Sequence, residues 1–129
     1  MSREIKFRAW GENIKEYLSA NGKTPLPLTL KMLAEGCVYD PDLWEFEQYT
    51  SLKDKNGKEI YEGDIIQCHL SPISSIIFTG VVEFRPGCIM FKNFADGGSY
   101  AFNFLGAIEA VIGNIHENPE LLENKNGRN

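Results

Sequence analysis

The sequence contains few of the side chains on which metal and nucleophilic sites depend. Among 129 residues there are three cysteines, Cys37, Cys68 and Cys88, and two histidines, His69 and His116. An odd number of widely spaced cysteines indicates free thiols in a reducing compartment rather than a disulfide framework. A chain of this length can bury a core without disulfides or metal, so we expect it to fold in that way.

The spacing of the metal-ligating side chains argues against a metal site. Cys68 and His69 are adjacent, so on a β-strand they would point to opposite faces. No second pair follows at the spacing of roughly two to four residues that zinc sites show. The stretch that begins at Asp54 superficially resembles a calcium loop, but Lys58 and Ile65 stand where that loop needs oxygen ligands. We expect neither a metal nor a cofactor.

Long hydrophobic runs are also missing. No apolar run approaches the roughly 18 residues of a transmembrane helix, and Met1–Lys6 lacks the apolar segment of a signal peptide. Together with the free thiols, these features predict a cytoplasmic protein with no membrane contact.

The charge balance disfavours one common class of partner. The formal net charge is −5, whereas a general nucleic-acid binder needs lysine and arginine to contact phosphates.

Catalytic motifs are missing as well. There is no phosphate-binding glycine loop, and neither histidine lies in a pattern typical of an activated nucleophile. Hydrophobic residues make up 43% of the chain, which is ordinary for a folded domain. We expect a folded protein that is not an enzyme.

Period-two alternation predicts that the chain begins with a half-buried strand. Ile5, Phe7 and Ala9 share the apolar face, and Lys6 and Arg8 lie on the solvated side. A turn at 11–13 follows. Residues 14–19 fit either a returning strand or a short helix, and a hairpin is the preferred interpretation.

Further strands, turns and two short helices are predicted along the rest of the chain. Apolar runs and alternation place strands at 43–50, 65–68, 76–84, 88–92, 100–104 and 108–115. Asn56-Gly57 is typical of a type I′ hairpin turn, and at Gly63-Asp64 the Asp64 carboxylate is expected to accept backbone N–H groups. One short helix is predicted from Thr29 to Glu35 and a terminal one from Pro119.

Three blocks of the sequence resemble, in order, the signature blocks of the YopX family. Arg3–Trp10 is similar to the family's start, Gln48–Ile66 to its central block and Val111–Leu122 to its C-terminal block. Two positions depart from the family pattern: Ser51 stands where glycine is usual, and Gly11 where aspartate is common. Residues 12–43 match no block.

The resemblance implies a protein encoded by phages or prophages of Gram-positive bacteria, with an SH3-type small β-barrel in its C-terminal portion and no established enzymatic activity. The short strands predicted from the residues agree with such a barrel. The expected fold class is mainly β, α+β overall. Residues 1–50 would form an α+β region with one short helix, 51–123 the SH3-like barrel, and 124–129 a disordered tail.

Three hypotheses for function can be distinguished. An accessory protein that binds a host or phage protein predicts a contiguous apolar or aromatic patch. The alternative, a nucleic-acid-binding module, predicts a basic stripe and salt-dependent binding. An enzyme, ranked last, predicts a deep pocket with convergent polar groups. Self-association is left open.

Six residues of the matching blocks combine polar and aromatic character and form a candidate binding surface. They are Arg8, Trp10, Tyr49, Lys53, Asp54 and Tyr61. The competing interpretation is that these side chains hold the fold together.

Overall fold

A computed structural model of the chain describes residues 5–19, 27–29 and 44–124. The chain divides into two compact units, Met1–Ser51 (unit 1) and Leu52–Asn129 (unit 2). Strands dominate the described residues, which confirms the predicted mainly β fold. The helices in this part of the chain are two short 3-10 helices, Phe102–Phe104 and Pro119–Asn124.

In unit 1 the first strand is the centre of an antiparallel sheet. Within unit 1 this sheet contains β1 Lys6–Gly11, β2 Glu16–Tyr17, β3 Leu28–Thr29 and most of β4 Trp44–Lys53, whose last two residues belong to unit 2. β4 pairs along one edge of β1, while β2 and β3 pair with opposite ends of its other edge. The pairing of β1 with β2 confirms the predicted hairpin.

The core of unit 1 lies on the apolar face of β1. Ala9 and Leu28 are fully buried, and Phe7 packs against them. Arg8 is also buried, at 7% exposure, so the prediction that it faces solvent is wrong. The reason is that Glu47 lies opposite Arg8 in the pairing of β1 with β4 and supplies the carboxylate that balances its charge.

Unit 2 contains a five-stranded antiparallel sheet in the order β10-β6-β7-β8-β9. The strands of this sheet are β6 Asp64–His69, β7 Ile77–Arg85, β8 Cys88–Asn93, β9 Ser99–Ala101 and β10 Ile108–Asn114. The strand β5 Glu59–Tyr61 also lies in unit 2 but is not part of this sheet. Strands β6 to β9 follow one another as hairpins. After the 3-10 helix Phe102–Phe104, β10 returns to pair with β6.

The core of unit 2 is formed by inward-facing residues of this sheet, together with Ile60 from β5 and Leu105. Its buried members are Ile60, Ile66, Cys68, Val82, Phe91 and Leu105. Gly80 on β7 lies against β8 with no room for a side chain. A Cβ atom there would lie 2.1 Å from the Lys92 carbonyl oxygen and 2.7 Å from the Phe91 ring. This part of the sheet therefore requires a residue without a side chain.

The turn predicted at Asn56-Gly57 is present, but its type differs from the prediction. Gly57 N donates to Asp54 O at 3.0 Å, and Asp54 N donates to Lys58 O at 2.9 Å. Gly57 has a φ of 84°, while Asn56 is not among the residues with positive φ. A type I′ turn needs positive φ at both central residues, so this is a type I turn followed by a left-handed glycine. The Asp54 side chain favours it by accepting the N–H groups of Asn56 and Lys58.

The second turn has the predicted form. Gly63 has a φ of 88°, and Asp64 Oδ2 accepts the backbone N–H of Tyr61 at 2.8 Å. The Asp64 carboxylate is 2% exposed. The tight entry into β6 therefore depends on a buried carboxylate as well as on a glycine.

Ser51 has a φ of 71°, a left-handed conformation that glycine adopts at little cost and other residues rarely adopt. This explains why glycine is usual at this position in the family that the sequence resembles. The serine places a side chain where the backbone favours none.

The remaining predicted elements differ from the structure in where they end or in the type of helix. The strand predicted at 100–104 ends at Ala101, because Leu105 N donates to Phe102 O and closes a 3-10 turn. The terminal helix is also 3-10, with Leu121 N donating to Asn118 O. For the helix predicted at 29–35, Thr29 belongs to β3 and the rest lies outside the described residues, as do residues 125–129 of the predicted tail.

Candidate functional site

Arg8 belongs to a buried polar cluster in unit 1. Its Nε donates to Glu47 Oε1 at 2.7 Å, and the Tyr17 hydroxyl donates to the same oxygen at 2.8 Å. The Arg8 guanidinium carbon lies 4.6 Å from the centre of the Tyr17 ring. Glu47 is 2% exposed. A buried pair of this kind leaves an uncompensated charge if one partner is removed, so the cluster holds β1, β2 and β4 together.

Trp10 and Tyr49 are buried aromatic residues of the same unit. Trp10 stacks edge-to-face with Tyr17, with 5.0 Å between ring centres, and its Nε1 donates to Glu12 Oε1 at 3.1 Å. Tyr49 lies in β4, with Lys6 Nζ 4.9 Å from the centre of its ring. Both side chains thus have contacts inside unit 1.

In unit 2, Asp54 is the most highly connected of the predicted residues. Besides the N–H groups of Asn56 and Lys58, its carboxylate accepts the Val111 N–H of β10 at 2.9 Å. Burial raises the pKa of Asp54, but the hydrogen bonds from Val111, Lys58 and Asn56 outweigh it, and the pKa is lowered. The carboxylate therefore connects the 54–58 turn to a strand more than fifty residues away.

Tyr61 and Lys53 complete the predicted set. Tyr61 is 8% exposed, and its backbone N–H donates to Asp64, whereas Lys53 is exposed. Five of the six predicted residues are thus buried, and each of these five has contacts that stabilise its own unit. Their part in binding a partner stays a prediction.

A polar turn follows β10. The Asn114 side-chain oxygen accepts the N–H groups of His116 and Glu117, and its Nδ2 donates to Glu117 Oε1. The Asn118 side chain accepts the Asn114 N–H in return. These bonds explain the asparagines of the C-terminal block as turn residues rather than as ligands.

One cluster of titratable groups was not anticipated from the sequence. His69 Nε2 lies 2.8 Å from Glu109 Oε2, and Lys55 Nζ lies 3.1 Å from Glu109 Oε1. The hydrogen bond from His69, followed by that from Lys55, lowers the pKa of Glu109. No sequence spacing signals this cluster, because the pairing of β6 with β10 brings together residues forty positions apart.

The chemistry of this cluster is that of a surface ion pair network. A carboxylate that orients an imidazole is also used in acid–base catalysis, where the second ring nitrogen faces the substrate. In His69 that nitrogen, Nδ1, is buried and has no hydrogen-bond partner. It therefore presents no accessible base.

A depression in unit 1 is lined by Gly11, Asn13, Ile14 and Trp44. Its volume is about 180 Å³, smaller than the roughly 300–1,000 Å³ of typical ligand pockets. Its walls are largely apolar and offer no cluster of ionisable groups. This depression does not have the form of a catalytic site.

The most distinctive surface of unit 2 is apolar. Among the described residues, eight large hydrophobic side chains are exposed, and four of them lie on two neighbouring segments. We call these four the apolar face: Ile73 (96% exposed), Ile76 (61%), Ile77 (49%) and Phe104 (69%).

The two segments that carry the apolar face are in contact through their backbones. Gly106 N donates to His69 O at 2.8 Å, and His69 N donates to Ala107 O at 3.0 Å. A Cβ atom on Gly106 would lie 2.4 Å from the Ser71 carbonyl oxygen. The loop from β6 to β7 and the loop that follows the 3-10 helix are thus adjacent, at one end of the sheet.

This surface was not predicted from the sequence, because three of its residues, Ile76, Ile77 and Phe104, fall in runs that predict strands. Among the described residues, no helix has the length and apolar character needed to cross a membrane.

Comparisons with known proteins found one matching family model and a similar solved structure, each over most of the chain. A family model described as YopX protein matches residues 6–123. Among solved structures, the crystal structure of protein EF1440 from Enterococcus faecalis is similar, with a TM-score of 0.54 and 26% sequence identity. The match covers 94% of this chain and 99% of that chain. No curated protein matches.

Proposed function

This chain belongs to the YopX family, and from this premise we propose that it is a non-enzymatic accessory protein that binds a protein partner through the apolar face of unit 2. The observation that carries the proposal is the exposure of Ile73, Ile76, Ile77 and Phe104 on adjoining segments. Exposed apolar side chains that are grouped on adjoining segments, rather than scattered singly, mark interaction sites in folded proteins.

Burial of this face supplies the driving force for association. Covering a large aliphatic or aromatic side chain contributes about 1.5–3 kcal/mol when burial is complete. Ile73 is almost fully exposed and Phe104 largely so, so a partner gains most at these two positions. Phenylalanine is also among the residues enriched at protein interfaces.

The ionisable groups of the described residues support a role without catalysis. The Glu47 carboxylate binds Arg8 and Tyr17, and the carboxylates of Asp54 and Asp64 bind backbone N–H groups. These buried carboxylates stabilise turns and strand pairs. A catalytic acid or base would instead have to face a substrate.

The finer fold and the biological setting belong to the same proposal. An SH3-type barrel in unit 2 is supported by the run of hairpins, the 3-10 helix after β9 and the return of β10 to β6. A phage or prophage origin, and action in the cytoplasm of a Gram-positive host, follow from the family resemblance. The similar solved structure comes from Enterococcus faecalis.

Affinity capture with matched variants tests the proposed function. The tagged wild-type chain, Phe104→Ser and Ile112→Ser would be compared in bacterial and phage-infected lysates, with and without nuclease, at low and high salt. Ile112 is exposed on β10 outside the apolar face, so it is the control. We expect one stoichiometric protein to be retained by the wild type and by Ile112→Ser, and to be lost with Phe104→Ser.

Two outcomes would overturn the proposal. Equal capture by all three chains would mean that the apolar face is not the binding surface. Recovery of nucleic acid that disappears at high salt would instead favour the alternative, a nucleic-acid-binding module, because phosphate contacts weaken steeply with salt.

A further inference from the structure

The apolar face lies in a part of the chain that carries no charge. There is no Lys, Arg, Asp or Glu from Leu70 to Val82, or from Gly97 to Ile108, although charged residues make up 24% of the sequence. The polar side chains that flank these segments, His69 and Glu109, are directed at each other, with 2.8 Å between His69 Nε2 and Glu109 Oε2. The two segments that carry the apolar face therefore present no charge of their own to a partner.

This lack of charge limits the chemistry of the partner. An anionic lipid surface or a nucleic acid would be held by cations, and neither uncharged segment contains one. The nearby Lys55 ammonium is engaged by Glu109 at 3.1 Å. The surface that fits the apolar face is another uncharged, apolar protein surface.

A second copy of this chain has such a surface. Because each copy carries a net charge of −5, two copies repel each other when charged faces approach. The repulsion is weakest where the uncharged segments meet. An apolar face can also bind a copy of itself, because the hydrophobic attraction is non-directional. Two such faces related by a two-fold axis form a closed dimer.

We infer that the apolar face of unit 2 binds the apolar face of a second copy, so that the chain forms a two-fold symmetric dimer through Ile73, Ile76, Ile77 and Phe104. This inference rests on the proposed function, because it names the partner of the same surface. In the dimer each of these side chains occurs twice, so one substitution removes two contacts.

Sedimentation equilibrium of the purified chain tests the inference, over a concentration series at low and high salt. We expect a shift from the mass of one chain to that of two. Added salt should strengthen the dimer, because it screens the repulsion between acidic copies and does not weaken apolar contacts.

Ile73→Ser, at a position that is almost fully exposed and makes no core contact, should raise the dissociation constant at least about tenfold. Ile112→Ser should leave it within about twofold.

The mass of a single chain at every concentration would overturn the inference. A dimer that salt dissolves, or one that Ile73→Ser leaves unchanged, would overturn it as well. The lysate experiment separates these failures from failure of the proposed function. A different protein that is captured by the wild type and lost with Phe104→Ser would retain the proposed function and replace the second copy as the partner.

Discussion

At the level of single residues, the Asp54 carboxylate shows how a buried charge can stabilise a fold. Three backbone N–H groups, from Asn56, Lys58 and Val111, hold it, and its pKa is lowered. A carboxylate whose pKa is lower in the folded state than in the unfolded chain stabilises the fold above the unfolded pKa. That contribution is lost as the pH falls through the folded pKa.

We expect Asp54→Asn to lower the free energy of unfolding by about 2 kcal/mol at neutral pH, because the amide retains one acceptor oxygen and loses the charge. The variant should also lose less stability than the wild type on acidification below about pH 4. Urea denaturation at several pH values measures both effects. Asp96→Asn, at an exposed carboxylate that accepts from Gly98 and Tyr100, is the control and should have the smaller effect at neutral pH.

At Ser51 a substitution is expected to raise the free energy of unfolding rather than lower it. Its φ of 71° costs a non-glycine residue about 1–2 kcal/mol, and part of the gain from Ser51→Gly is offset by the larger entropy of glycine in the unfolded chain. We expect Ser51→Gly to raise the free energy of unfolding by about 0.5–1 kcal/mol in urea denaturation. Gly63→Ala, at a φ of 88°, should lower it. A destabilised Ser51→Gly would mean that the serine side chain contributes more than the strain it causes.

At the level of elements, the pairing of β7 with β8 depends on Gly80. A Cβ atom there would overlap the Lys92 carbonyl oxygen, which belongs to the partner strand and cannot rotate away. We expect Gly80→Ala to lower the free energy of unfolding by about 3 kcal/mol or more, measured by thermal or urea denaturation. In Gly98→Ala the nearest atom is a side-chain oxygen at 3.2 Å, so a small effect is expected. Equal effects of the two variants would contradict the argument.

Most strands could be predicted from the sequence because period-two patterns report directly which side chains share a face. The first strand and its hairpin are examples. These patterns do not predict where a strand ends, because the backbone hydrogen bonds that form a 3-10 turn do not depend on the apolar alternation. Phe102 to Phe104 continues the apolar pattern of a strand, yet a 3-10 turn closed by Leu105 ends it. At Asn56-Gly57 the sequence predicts a turn, but the hydrogen bonds to the Asp54 side chain favour a different type of turn from the one predicted.

The candidate site was harder to predict than the fold, because exposure is a property of the assembled molecule. Arg8 resembles a solvated strand residue until its position opposite Glu47 is known. Ile73 and Phe104 resemble core residues, and it is the adjacency of their two loops that makes a surface of them. No sequence spacing contains that information.

At the level of the whole molecule, the reactivity of the Cys68 thiol should report whether the chain is folded, with Cys88 as the exposed reference. Cys68 is fully buried, and burial raises its pKa to about 12, whereas Cys88 is exposed. In a Cys37→Ser background we expect one thiol per chain to react rapidly with a maleimide at neutral pH, and the second only after denaturation. Val82→Ala, which weakens the same core, should accelerate the slow reaction and leave the fast one unchanged. Two fast thiols in the native protein would contradict this prediction.

The link from Asp54 to Val111 also has a consequence for synthesis on the ribosome. β6 leaves the exit tunnel well before its partner β10, and Asp54, which precedes β6, leaves it earlier still and cannot accept the Val111 N–H until β10 has emerged. During that interval the nascent chain exposes an unpaired edge of β6 and a turn without its anchor. Unit 2 therefore cannot be completed before β10 has been translated, and until then the growing chain is exposed to chaperones and to neighbouring copies of itself.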